Sequence, residues 1–142
     1  MDSGKNTLKN VGKTRAAPSH SAGGYFLKAK EFYKSMKLEA EFENWNTVGL
    51  CGVHCAISAS DSVLAKFAKI RNISQNHYDC VQLIKQHIAH KESDKQANRL
   101  RKIIEMKNLV EYLGDPFTEK QAKELSVNVD RYFEWAKQLM DV

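Results

Sequence analysis

The chain has 142 residues, a length that suits one domain around one core and is short for two. Its 22 Lys and Arg outnumber its 17 Asp and Glu for a formal charge of +5, and four bases against Asp2 in the first 20 residues supply +3 of that, which excludes a strongly basic fold throughout. Three cysteines make no even disulfide framework, and no apolar run approaches the about 20 residues that span a bilayer, so the expectation is a reduced, cytoplasmic protein without membrane contact.

Residues 1–22 combine Lys5, Lys9, Lys13 and Arg15 with scattered Gly and Ser and show no periodic apolar face, the composition of a disordered basic tail. From residue 23 to 142 the pattern is that of one helical domain. In "YFLKAKEFYKSMKLEAEF", Phe26, Ala29, Phe32 or Tyr33, Met36 and Ala40 recur at steps of three and four, predicting a first amphipathic helix. The segment "ENWNTVGLCGVHCAISASDSVLAKFAKI" follows. It puts Leu50, Val53, Ile57, Ser60, Leu64 and Phe67 on one face, flanked by Gly49, Gly52, Cys55, Ala56 and Ala59. So many small residues let neighbours approach closely, which predicts the central helix.

"RNISQN" breaks the helical period, and "HYDCVQLIKQHIAH" resumes it as a short third helix. "QANRLRKIIEMKNLVEYL" carries Leu100, Ile103, Val110 and Leu113 in register and stops at Gly114 and Pro116. A last helix opens at Thr118 with Gln121 three residues on, the spacing of a capping box, and buries Ala122, Leu125, Val129, Tyr132 or Phe133, Ala136 and Met140. No strict alternation persists long enough to suggest a sheet. The fold class is all-α, an up-and-down bundle of about five helices.

Four features bear on chemistry. "CGVHC" sets Cys51, His54 and Cys55 at i, i+3 and i+4, but a tetrahedral zinc site needs a fourth ligand and a second clustered pair is missing, so the cysteines read as small packing groups and no metal is expected. Asp61 follows the apolar "AISAS" run and needs solvent or a Lys or Arg on a neighbouring helix. "RNISQNH" brings Arg71 and His77 together at a loop, a pair that could hold phosphate and move protons, though such spacing also arises on ordinary surface loops. In "EMKNLVEYLGD", Lys107 with Glu111 and Asn108 with Tyr112 lie on adjacent helical strips, which on spacing alone needs nothing beyond a surface ion pair and a half-buried tyrosine.

Taken in order, "YFLKAKEFYKSM", "GLCGVHCAISASDSVLAKF", "NHYDCVQLIK", "RLRKIIEMKNLVEYLGDPFT" and "AKELSVNVDRYFEWAKQLM" resemble a HEPN domain (higher eukaryotes and prokaryotes nucleotide-binding) across residues 25–140. The resemblance implies a helical bundle that dimerises with a polar cleft near the interface. Many members are metal-independent ribonucleases, often the toxin half of a toxin-antitoxin pair with a nucleotidyltransferase, and carry Arg-x(4 to 6)-His, often as Arg-Asn-x-x-x-His. The matching positions here read Lys107-Asn108-Leu109-Val110-Glu111-Tyr112. Lysine offers phosphate a point charge in place of a planar fork, and tyrosine is a poor base at neutral pH.

The resemblance also implies that Arg71, His77, Lys107, Asn108 and Tyr112 form one polar, ligand-binding pocket. The expected function is therefore binding of nucleotide or RNA phosphate by a homodimer with a nucleotidyltransferase-type or nucleic-acid partner and no cofactor. An endoribonuclease using the same candidates, Arg71, His77, Lys107 and Tyr112, is the alternative.

Overall fold

The computed structural model describes residues 13–111 and 114–141. Among these, five α-helices form an all-α bundle: α1 (Ala22–Glu41), α2 (Trp45–Ala68), α3 (Tyr78–His87), α4 (Ser93–Glu111) and α5 (Glu119–Met140). Two three-residue strands, β1 (Thr14–Ala16) and β2 (Ile70–Asn72), pair antiparallel, with Arg15 directly opposite Arg71. Strands this short hold too few residues to show alternation, so no period in the sequence marks them.

Their pairing corrects the tail boundary. A tail over residues 1–22 was expected, yet Thr14–Ala16 is strand, Ser19–Ser21 is a 3-10 turn, and Ala17 and Ala22 are buried against Ala65. Residues 1–12 lie outside the described chain.

α2 is the central helix and packs against α1, α3, α4 and α5. Its expected apolar face is turned from the observed one: Val53, Ser60 and Leu64 are buried, but Leu50 and Phe67 are exposed, while Gly49, Gly52, Cys55, Ala56 and Ala59 are buried. Volume, more than hydrophobicity, chose that face. A Cβ on Gly52 would sit 3.0 Å from Met36 Sδ on α1 and 3.1 Å from Leu125 Cδ2 on α5, so glycine sets how closely three helices converge. Over an 18-residue window α2 has a mean hydropathy of 1.4, apolar and long enough to cross a membrane by composition, which amends the expectation that no run qualifies; 78% of that window is buried within the protein.

α5 follows its sequence pattern closely. Thr118 accepts from the Gln121 amide and the Gln121 side chain accepts from Thr118 N, closing the capping box. Ala122, Leu125, Val129, Tyr132, Phe133 and Ala136 are buried as the period requires, with Trp135 added and Met140 only partly covered. Phe133 stacks on both Phe26 and Tyr33 of α1, at 5.5 and 4.4 Å between ring centres. These contacts fix α1 against α5 and leave one side of the α1–α2 hairpin open.

Candidate functional site

The open side of that hairpin holds the charged group the core least tolerates. Asp61 lies near the C-terminal end of α2 with a side chain only 10% exposed. Eight residues on, Lys69 adopts left-handed backbone (φ 55°), which ends α2 and turns the chain sharply into β2. β2 therefore runs back beside α2 and carries Arg71 to Asp61, with Nε 3.8 Å from Oδ2. The cationic partner expected on a neighbouring helix stands on a strand.

At 3.8 Å the pair is Coulombic and not a hydrogen bond, so the guanidinium keeps its donors for another acceptor. Its centre lies 5.2 Å from the centre of the Tyr25 ring, a cation–π contact that orients it. Burial pushes the Asp61 carboxyl up from 3.8 to about 6, against the opposing pull of Arg71 and Lys28. Near neutral pH this carboxylate is ionised but close to its titration.

Two cavities share Ile57, Asp61 and Arg71 as a common wall. The larger, about 510 Å³, lies between α1 and α2 and adds Tyr25, Lys28, Glu31, Phe32, Ser35, His54 and Ser58. Phe32 and His54 stack with ring centres 5.4 Å apart on its wall. The smaller, about 340 Å³, adds Asn72, Ile73, Ser74, His77 and Cys80. A short hydrogen-bonded loop shapes its rim: Ser74 N donates to Asn72 Oδ1, Ser74 Oγ donates to Asp79 Oδ2, and Tyr78 N donates to Asn76 Oδ1. That loop holds His77 at the start of α3, facing the space beside Arg71.

The candidates named from sequence thus separate into two groups. Arg71 and His77 share a cavity with Asp61. Lys107, half-buried, and Asn108, exposed, stand near the end of α4 and line neither cavity. Tyr112 lies outside the described residues. Of the four candidates among the described residues, Arg71 and His77 share a cavity.

Cys51, His54 and Cys55 do not gather either. Cys51 is half-buried, His54 is exposed against Phe32, and Cys55 is fully buried, with burial the main cause of a thiol pKa far above the ordinary value. All three cysteines are free, and among the described residues no three of His, Cys, Asp and Glu cluster as metal ligands.

Sequence reasoning missed Tyr25, Lys28 and Arg15. Tyr25 and Lys28 were read only as parts of an amphipathic helix, and Arg15 as part of a tail. In the two-stranded pairing Arg15 is directly opposite Arg71, so both side chains leave the same face of the sheet. Only the strand register reveals this, and the sequence carries no signal for it. No protein-family model, curated protein or solved structure matches the chain.

Proposed function

We propose that the protein is a HEPN-type binding module that holds a nucleotide, or the phosphate of RNA, in the cleft between α1, α2 and β2. One observation carries this reading. A cavity of about 510 Å³ joins aromatic rings (Tyr25, Phe32, His54) to two cations (Lys28, Arg71) and one buried carboxylate, Asp61. Each part matches one part of a nucleotide. Aromatic faces stack a base, a carboxylate accepts from an exocyclic amine, and lysine and arginine hold phosphate. Arg15 beside Arg71 adds positive potential, and like charges across a strand pair cost stability unless an anion offsets them.

The test is calorimetric titration with adenosine and guanosine nucleotides. Arg71→Ala and Lys28→Ala are expected to weaken binding by about tenfold or more each, as loss of a charged hydrogen bond to phosphate does. Binding unaffected by both substitutions would sink the reading.

A second reading has its own support. Arg71, His77 and Asp61 share the smaller cavity, and an imidazole beside a carboxyl that titrates at about 6 could move protons during RNA cleavage. Loss of RNA cleavage in His77→Ala, with nucleotide affinity unchanged, would favour an endoribonuclease over a binding module. Lys107 lines neither cavity, and Tyr112 lies outside the described residues.

As a HEPN-type module the protein is also proposed to be cytoplasmic and to act as a homodimer beside a nucleotidyltransferase-type partner. Leu38 and Phe42, one turn apart at the end of α1 and 51% and 66% exposed, supply apolar surface for the dimer contact. Sedimentation of Phe42→Ser as a monomer, with the parent a dimer, is the expected outcome.

A further inference from the structure

A second charged surface lies away from this cleft, between α4 and α5. Lys95, Asn98, Arg99 and Lys102 fall at i, i+3, i+4 and i+7 on α4, so they form one strip along the helix. With Asn128 of α5 they line a groove of about 350 Å³ that contains no carboxylate. An adjoining cavity of about 370 Å³ shares Lys95 and Arg99 and brings in Arg131.

The central arginine is held in place before any ligand arrives. Gln96, buried at 4% exposure, donates to Glu92 Oε1 and accepts from Arg99 Nη1 at 3.0 Å, so its amide relays the position of Glu92 to the guanidinium. Of the three carboxylates in the adjoining cavity, Glu92 is engaged this way and Asp130 accepts from Tyr33 and pairs with Lys37, which leaves Glu134. Among the described residues none of Lys95, Arg99, Lys102 and Arg131 has a carboxylate within ion-pair distance. Burial and the nearby Arg131 both depress the Arg99 pKa, against the opposing pull of Glu92.

We propose that the α4–α5 groove along Lys95, Arg99 and Lys102 binds the phosphodiester backbone of a single-stranded nucleic acid. The three cations extend over about 10 Å of helix, which presents successive positive charges in a line. A backbone with one negative charge per nucleotide meets such a line at successive points. Asn98 and Asn128 add neutral donors of the kind that contact phosphate and sugar. A single line of cations matches a single backbone. This surface is separate from the nucleotide cleft and does not depend on that assignment.

Fluorescence anisotropy with a labelled oligouridylate, over a salt series, tests the proposal. The double variant Lys95→Gln/Lys102→Gln is expected to bind at least about tenfold more weakly and to lower the slope of log affinity against log salt by about 1.4. Arg99→Gln should add a further loss. Mononucleotide binding by the same variants should match the parent, which separates failure here from failure of the cleft assignment. Both substituted lysines are exposed, and an unchanged melting temperature would show that the fold is intact. Parent-like affinity and salt slope in the double variant would overturn the proposal. So would absence of oligouridylate binding by the parent at low salt, or displacement of the oligonucleotide by polyglutamate as readily as by unlabelled oligouridylate.

Discussion

α2 and α4 are both long helices, and they carry charge in opposite ways. α2 is enclosed by four helices, so its single acidic side chain, Asp61, lies where water solvates it poorly and Arg71 is brought to it. α4 buries a face through Ala97, Leu100, Ile103 and Ile104, and its Lys95 and Lys102 stand in solvent with no such requirement. Enclosure turns a charge into a structural obligation. Exposure leaves it available to a partner.

If that contrast is right, substitutions should lose force steadily from the inside of α2 to the outside of α4. The largest effect is expected at Gly52. Valine there would push its branched carbons toward Met36 Sδ and Leu125 Cδ2, contacts already at 3.0 and 3.1 Å for a Cβ alone, and should lower stability by about 3 kcal/mol in urea denaturation. A neutral result would mean that α1 and α5 can move apart, and that α2 is less tightly enclosed than described.

Next comes Asp61, and here the sign is specific. Its carboxyl titrates at about 6 in the folded protein and at 3.8 ordinarily, so the folded state keeps a proton that the unfolded chain has already released. The resulting contribution is full below about pH 4 and is lost as pH rises through about 6, on the order of 3 kcal/mol. Melting curves across that window should show a pH slope in the parent that is flattened in Asp61→Asn, while Lys28, Glu31, His54, Arg71 and His77 remain common to both proteins. Equal slopes would show that Asp61 is not the group that titrates.

A smaller loss is expected inside α2's polar core. Ser60 Oγ donates to the Ala56 carbonyl, which leaves the Tyr132 hydroxyl as donor in the 2.6 Å contact between them. Tyr132→Phe removes that donor and should cost about 1 kcal/mol. On α4, Lys102→Gln should change the folding free energy by under about 0.5 kcal/mol, because an exposed charge with water around it contributes little to the fold. A larger loss there would remove the contrast between the two helices.

The same contrast explains what could be read from sequence. α5 and the buried face of α1 were legible because large apolar residues recur with the helical period and Thr118 and Gln121 announce a start. The face of α2 was not, because glycine, alanine and serine carry little hydrophobic signal yet pack against three neighbours at once. Arg71 and His77 were legible as a pair, since six residues around one turn keep them near each other whatever the fold does. Their meeting with Asp61 was not, because it depends on the left-handed Lys69 and on the register of two very short strands. The Lys95, Arg99 and Lys102 strip is visible as spacing, but its groove needs Asn128, which comes from the packing of α5.

The pairing of β1 with β2 also has a kinetic consequence. Ala17 N bonds to Lys69 O and Ile73 N to Lys13 O, so this corner joins the start of the described chain to residues beyond two long helices. Contacts so far apart in sequence carry a loop-closure cost and form after the local α1–α2 hairpin has assembled. By the same reasoning they open before the helices do. Amide exchange at Ala17 and Ile73 should outpace that in the middle of α2, and the strand that carries Arg71 should detach and re-dock many times within the lifetime of the folded bundle.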